Sequence, residues 1–309
     1  MITRQLPLFP TDSEHALTQH SLLAEAIGPF QERLRLEGRS PHTINAFTSD
    51  LRLLSEFFGP EMRLHEFTTT QLNRFMEWIE YGRGIPCSRK SYARRVTTLK
   101  VFFKFLREEK ILVDNPATAV LQRSGAAPLQ SALTEEEMQQ VLTYTLALRV
   151  AEKPDARPDL LVRLLLDTAI KKSECMAITP DHIQRDNPDG PVLVVRYPKP
   201  NNVYKERRIT LDPDWLEVLD EYLEQYRPTA EIFDCTARNL EYILDDIAQG
   251  AGIESRISFE ILRWTSAVRD YRRGMDMDTL REKMGLSRIS WRETSEKILR
   301  LAALQHTRR

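Results

Sequence analysis

The stretch from Ile257 to Ser295 decides how this chain reads. It runs I-S-F-E-I-L-R-W-T-S-A-V-R-D-Y-R-R-G over 257–274, then M-D-M-D-T-L-R-E-K-M-G-L-S-R-I-S-W-R-E-T-S over 275–295. The spacing of Ile261, Leu262, Thr265 and Val268 predicts a helix that buries this face, stops at Gly274 and leaves Arg269, Arg272 and Arg273 outside. Trp264 and Trp291 read as packing residues. Glu260 and Arg263 stand three residues apart, so one reading pairs them along a helix face. Arg288, Arg292, Lys297 and Arg300 make the next segment basic, tempered by Glu293 and Glu296, and Ile298, Leu299, Leu301 and Leu304 give it an apolar stripe. No tyrosine follows Tyr271.

Upstream lies T-A-I-K-K-S-E-C-M-A-I at 168–178, after the apolar helix D-L-L-V-R-L-L-L-D. Val192 to Tyr197 and Arg207 to Leu211 are strand-like, joined by K-P-N-N-V-Y-K-E at 199–206. Asp212-Pro213 opens a helix with Trp215, Leu216, Leu219, Tyr222 and Leu223 buried, and Thr236 opens another with Leu240, Ile243, Leu244 and Ile247. Thr134 and Glu137 form a capping box for the helix that starts this half.

The first half predicts four helices. Ala26, Ile27, Phe30 and Leu34 recur at helical spacing up to Gly38; Ser40 and Pro41 then start a helix carrying Ile44, Phe47, Leu51 and Leu54. A third helix follows the threonines 68–70, and a fourth runs from Ser88 to Glu109. Charge concentrates on the fourth: Arg83, Arg89, Lys90, Arg94, Arg95, Lys100, Lys104, Arg107 and Lys110 face only Glu108 and Glu109 in acid. Val96, Leu99, Phe102, Phe103 and Leu106 interleave at core spacing, which predicts a cationic outer face able to neutralise phosphates. A solvated helix surface is the bland alternative.

These frames resemble the tyrosine recombinase, or phage integrase, family. Its second box reads H-x-L-R-H-T-F-A, a helix, a Gly, then L-G-H-S-x-I-x-T-T-x-x-Y; its first reads T-G-L-R-I-S-E-L-x-x-L; its β-hairpin reads G-K-G-x-x-x-R-x-x-P-L. G-R-S-x-x-T-x-x-x-F-x-x-D-L at 38–51 resembles the opening of its core-binding domain, and Asn115-Pro116-Ala117 its close. The resemblance implies a mainly α fold with a small β-sheet: an N-terminal four-helix, SAM-like core-binding domain and an α+β catalytic-like domain, closing around duplex DNA. The expected divisions are a flexible tail at 1–16, the helical domain at 17–120, a linker at 121–132 and the catalytic-like domain at 133–309.

The same resemblance implies that the reactive groups are lost. Lys171 stands where the family has its first catalytic arginine, Lys199 at the mobile lysine, Glu260 at the first histidine, Arg263 at the second arginine, Leu286 at the second histidine and Ser295 at the nucleophilic tyrosine. A phenol with a pKa near ~10 attacks a phosphodiester and leaves again far more readily than a serine alcohol lacking a base. Glu260 beside a phosphate opposes the charge stabilisation that phosphoryl transfer needs. Lys171 keeps a positive charge without the planar fork of arginine. The expectation is therefore a non-cleaving, non-enzymatic DNA-binding protein of recombination, integration or transposition. Its expected contacts are Arg89, Lys90, Arg94, Arg95, Lys100, Lys104, Lys171, Lys199, Lys205, Arg207, Arg263 and Arg288. Two alternatives stay open: altered chemistry with Ser295 as nucleophile, and a protein-interaction module that no longer binds DNA.

Composition limits rather than decides. Charged residues make up 29% of 309 residues, yet the net charge is −1, so only local clustering speaks for nucleic acid. Cys87, Cys175 and Cys235 form no C-x-x-C, which fits a reducing cytoplasm and predicts neither metal nor cofactor. The longest apolar run is broken by Arg163, so no membrane span is expected. The expected partners are double-stranded DNA, an active recombinase or transposition machinery, and a second copy on DNA through the C-terminal helix. The L-P-L-F-P run of the tail is apolar enough to dock on another protein surface.

Overall fold

In a computed structural model of the chain, residues 17–122, 131–198 and 200–306 are described. The expected tail at 1–16, most of the expected linker and Lys199 lie outside the described residues. The chain divides into two compact units, residues 1–127 and 128–309.

The first unit is built from α1 (Leu23–Leu36), α2 (Pro41–Phe58), α3 (Thr69–Glu77) and α4 (Arg89–Glu108). Local chemistry sets their ends. Gly38 takes a positive φ of 71° after α1, and the Ser40 hydroxyl accepts from the Thr43 amide at 3.2 Å with Pro41 in the first turn of α2. Thr68 and Gln71 form a capping box on α3, which passes into a π turn at Trp78–Gly82; Ser88 caps α4 through the Ser91 amide at 3.1 Å. The helices close over Phe30, Leu51, Leu54, Phe75, Phe102 and Phe103, all fully buried. Phe30 meets Phe102 edge to face at 5.2 Å between ring centres, a geometry that adds to simple area burial.

The second unit comprises α5 (Glu135–Arg149), α6 (Arg157–Thr168), the short α7 (Lys172–Cys175), a three-stranded sheet, α8 (Trp215–Tyr226), α9 (Ala237–Gly250), α10 (Phe259–Arg272), α11 (Met277–Lys283) and α12 (Arg288–His306). The sheet is antiparallel in the order β1 (Ile183–Gln184), β2 (Val192–Val195), β3 (Arg207–Thr210), with Val195 opposite Arg207. β1 is a finding beyond the sequence reading: two residues are too short to show a period of two.

Helix α6 is the axle. It packs on α5, α8, α9 and α10, and Leu160, Leu161, Val162, Leu164, Leu165 and Leu166 are all buried. A helix apolar on nearly every side belongs inside, not on a surface. Its one deep carboxylate, Asp159, accepts from the Thr145 hydroxyl at 2.8 Å and from Arg163 at 2.9 Å. Ala169 ends the helix with a left-handed φ of 50°, where the resembling motif has glycine. That turn aims the Ala169 carbonyl at α10.

The C-terminal stripe divides. Ile298, Leu301 and Ala302 of α12 are buried with Trp264, Val268, Leu280 and Met284 of the same unit, while Leu299 and Leu304 stay exposed. Two of the four residues expected to face a neighbouring copy are thus taken by the chain's own core. The reason is the α10–α11 hairpin, which opens an apolar face that α12 covers. Because α6 carries the second unit, Leu165→Ala is expected to cost about 2–5 kcal/mol. The check is urea unfolding followed by emission from Trp215, which donates to the Leu160 carbonyl at 3.4 Å.

Candidate nucleic-acid interface

Three separate segments of the second unit meet around one carboxylate. Glu174 is the third residue of α7, so its Oε2 reaches back to the Lys171 amide at 2.8 Å and caps that helix. Arg207, first residue of β3, grips it with two parallel bonds, Nη2 to Oε2 at 2.9 Å and Nη1 to Oε1 at 3.1 Å. The Tyr197 hydroxyl donates to Oε1. Both partners of the ion pair are buried. Burial by itself raises the Glu174 carboxyl, but Arg207, the Tyr197 hydroxyl and the Lys171 amide outweigh it and hold it down at about 2.

Three cations then converge on the end of α11. Arg207 Nε donates to the Lys283 carbonyl at 2.7 Å, Arg263 Nη2 to the Met284 carbonyl at 2.6 Å and Lys171 Nζ to the Gly285 carbonyl at 3.3 Å. These carbonyls have no partner inside the helix and carry its negative dipole end, so cations are favoured there. Arg263 also donates to the Ala169 carbonyl at 2.5 Å. Burial pulls Arg263 down to about 10, with Glu174 opposing and Arg207 adding to the fall. Lys171 is lowered for the same reasons: burial first, then Arg263, Arg207 and Lys205 against Glu174. The cluster therefore holds more positive charge than one carboxylate balances, the condition in which an incoming anion is favoured.

The neighbouring positions differ from an acid-base set. Glu260 is exposed at the start of α10, Leu286 is half-buried against the α10–α12 core, and the Ser295 hydroxyl donates to the Arg292 carbonyl of its own helix at 3.1 Å. Among the described residues, no base is bonded to Ser295. Beside the cluster, Tyr204, Lys205, Arg208, Arg281 and Gly285 line a groove of about 880 Å³. Lys205 bonds Asn202 at 2.7 Å and lies over the Tyr197 and Tyr204 rings. Arg288 is exposed at the start of α12.

Several expected surface cations turn inward. Arg207 is not an open contact: Glu174 and two carbonyls hold it. Arg263 is buried, and it engages backbone carbonyls in place of Glu260. Arg269, expected outside, bonds the Leu166 carbonyl and pairs with Asp270 and Asp167. Lys283 pairs with buried Asp270, and burial lowers its pKa. Tyr197, which bonds Glu174, and the Asp270–Lys283 pair escaped sequence reading, because partners separated in the chain leave no local pattern.

In the first unit, Arg89, Lys90, Arg94, Lys104 and Arg107 of α4 are exposed and Lys100 half-buried, but Arg95 is buried. Its Nη1 donates to the Cys87 sulfur at 2.8 Å and its Nε lies 3.5 Å from Asp50. Asp50 also accepts from Arg94 at 2.8 Å and from the Thr98 hydroxyl at 2.9 Å. The α4 charge run is thus one outward row with one member folded in.

Among the described residues, no group of three or more His, Cys, Asp or Glu is placed to hold a metal ion, and no helix is long and apolar enough to cross a membrane. The profile described as phage integrase, N-terminal SAM-like domain, matches residues 27–110, and that of the phage integrase family matches residues 131–293. The chain belongs to the phage integrase family. The tyrosine recombinase XerC of Anoxybacillus flavithermus is 25% identical over 280 residues, 84% of this chain and 89% of the relative. That of Listeria monocytogenes serotype 4a is 28% identical over 260 residues, 80% and 83% of the two chains. Among solved structures, the XerH recombinase bound to palindromic difH superposes with a TM-score of 0.70 at 17% identity, covering 91% of this chain and 83% of that one. A lambda integrase tetramer bound to a Holliday junction gives 0.66 at 18% identity, covering 87% and 75%. The mainly helical fold with a small sheet is thus that of this family.

Glu174 sets the pH response of this integrase-family unit. Its carboxyl is depressed from 4.5 to about 2, so its contribution is complete above pH 4.5 and disappears as pH falls toward 2. Glu174→Gln leaves Arg207 buried without a counter-charge and is expected to cost about 3–5 kcal/mol at neutral pH. Urea titrations at pH 7 and pH 3 check both: the gap between parent and variant narrows at the lower pH.

Proposed function

We propose that this chain is a DNA-binding member of the family that holds duplex DNA without cutting it. One observation carries the reading. The cations of the phosphate site are assembled around Glu174 and the end of α11, while the position matching the nucleophilic tyrosine is Ser295, bonded only to its own helix among the contacts shown here. Glu260 and Leu286, at the histidine positions, supply neither a proton nor a hydrogen-bond donor at neutral pH. Lys171 and Arg263 grip a phosphate, and Glu260 disfavours the charge that builds up during transfer.

The α4 row of Arg89, Lys90, Arg94, Lys100 and Lys104 adds sequence-neutral backbone contacts, with Arg288 and the hairpin cations Lys199 and Lys205 as further contacts. Relatives support the DNA-binding half of this reading alone: XerH is seen with difH DNA in a post-cleavage complex, and lambda integrase as a tetramer on a Holliday junction. The chain's work is then recognition or architecture in recombination, integration or transposition, in the cytoplasm on the nucleoid, beside an active recombinase or in a homo-oligomer on DNA.

Retention of Arg263, and of a positive charge at Lys171, also favours a second reading, a recombinase of altered nucleophile. A gel-shift series and a nicked-duplex trap separate the two. The log affinity should fall linearly with log salt, and Lys90→Ala with Lys100→Ala should reduce the slope by about 0.9 per lost phosphate contact. No protein should remain attached to DNA on a denaturing gel. An adduct that Ser295→Ala abolishes establishes the altered-nucleophile reading, and the absence of any shift in dilute salt establishes loss of DNA binding.

A further inference from the structure

The first unit also carries an apolar groove that phosphate binding does not use. It has a volume of about 1020 Å³ between α1 and the end of α4, lined by Leu17, Gly28, Pro29, Leu36, Phe105 and Ile111. Leu36 is 79% exposed, a large apolar surface with no cover from the described residues. A Cβ placed on Gly28 meets nothing within 4 Å, so the groove is open there. Three acids line it, Glu25, Glu32 and Glu109, against one base, Arg33; Arg33 pairs with Glu109 and Arg35 with Glu32.

Leu17 is the first described residue and packs on the core of this unit, so the preceding chain enters at the groove itself. That segment reads M-I-T-R-Q-L-P-L-F-P over 1–10, with Arg4 ahead of Leu6, Leu8 and Phe9. We propose that residues 4–9 of the same chain dock in this groove. Leu8 and Phe9 cover Leu36 and Phe105, and Arg4 meets the acidic rim. Residues 10–16 span up to about 25 Å, enough to double back from Leu17. Pro7 and Pro10 stiffen the segment and reduce the order lost on docking.

Hydrogen exchange on the full chain tests this. Amides of residues 4–9 are expected to exchange about tenfold slower than in an unprotected peptide, the protection being lost in Leu8→Asp with Phe9→Asp. Gly28→Trp, whose Cβ meets nothing within 4 Å and whose ring occupies the groove, should remove the same protection while exchange in α2 stays unchanged. The proposal is overturned if residues 4–9 exchange at unprotected rates in the parent. It is equally overturned if their protection fades on dilution, since the groove is then filled by a second copy.

Discussion

Glu174 is the group on which the second unit's geometry depends. A buried carboxylate costs several kcal/mol unless it is paired and hydrogen-bonded, and here it has a bidentate arginine, a phenol and a backbone amide. Those partners come from α7, β2–β3 and the turn after β2, so satisfying one charge fixes three segments at once. Arg207, oriented by Glu174, then turns its Nε to the Lys283 carbonyl and draws in the end of α11. Removing Glu174 would free Arg207 and loosen the floor on which Lys171 and Arg263 stand.

The end of α11 explains how so many cations share one place. Three successive carbonyls, those of Lys283, Met284 and Gly285, accept from Arg207, Arg263 and Lys171. The dipole end supplies diffuse negative charge where a second carboxylate would repel a phosphate outright. This arrangement keeps the cations charged and in position but incompletely balanced.

The main features of this fold were legible in the sequence, because helix caps and apolar periods are local. Ser40-Pro41, Thr134 with Glu137 and the α6 leucines all lie where their chemistry predicts. That Glu174 and Arg263 fall in one place was legible through the spacing of the motifs that carry them. Which cations face outward was not. Arg95, Arg207 and Arg269 look like their exposed neighbours in the chain, and a distant acid, Asp50, Glu174 or Asp167, helps to turn each inward. The stripe on α12 divides for a similar reason: whether Ile298 meets its own core or another molecule depends on α10 and α11, not on α12.

The same device recurs in the first unit and ties the two halves of the binding argument together. Asp50 of α2 is buried, and burial raises its carboxyl although Thr98, Arg94 and Arg95 pull it down. It fixes Arg94 at 2.8 Å while leaving that side chain partly in solvent. A long cation free in water loses rotamer entropy when it meets a phosphate; one already held by a buried acid has less to lose. Lys171 shows the limit of the device. A lysine offers one compact charge and no fork, so its bond to Gly285 leaves no fixed second donor to align a reacting phosphate.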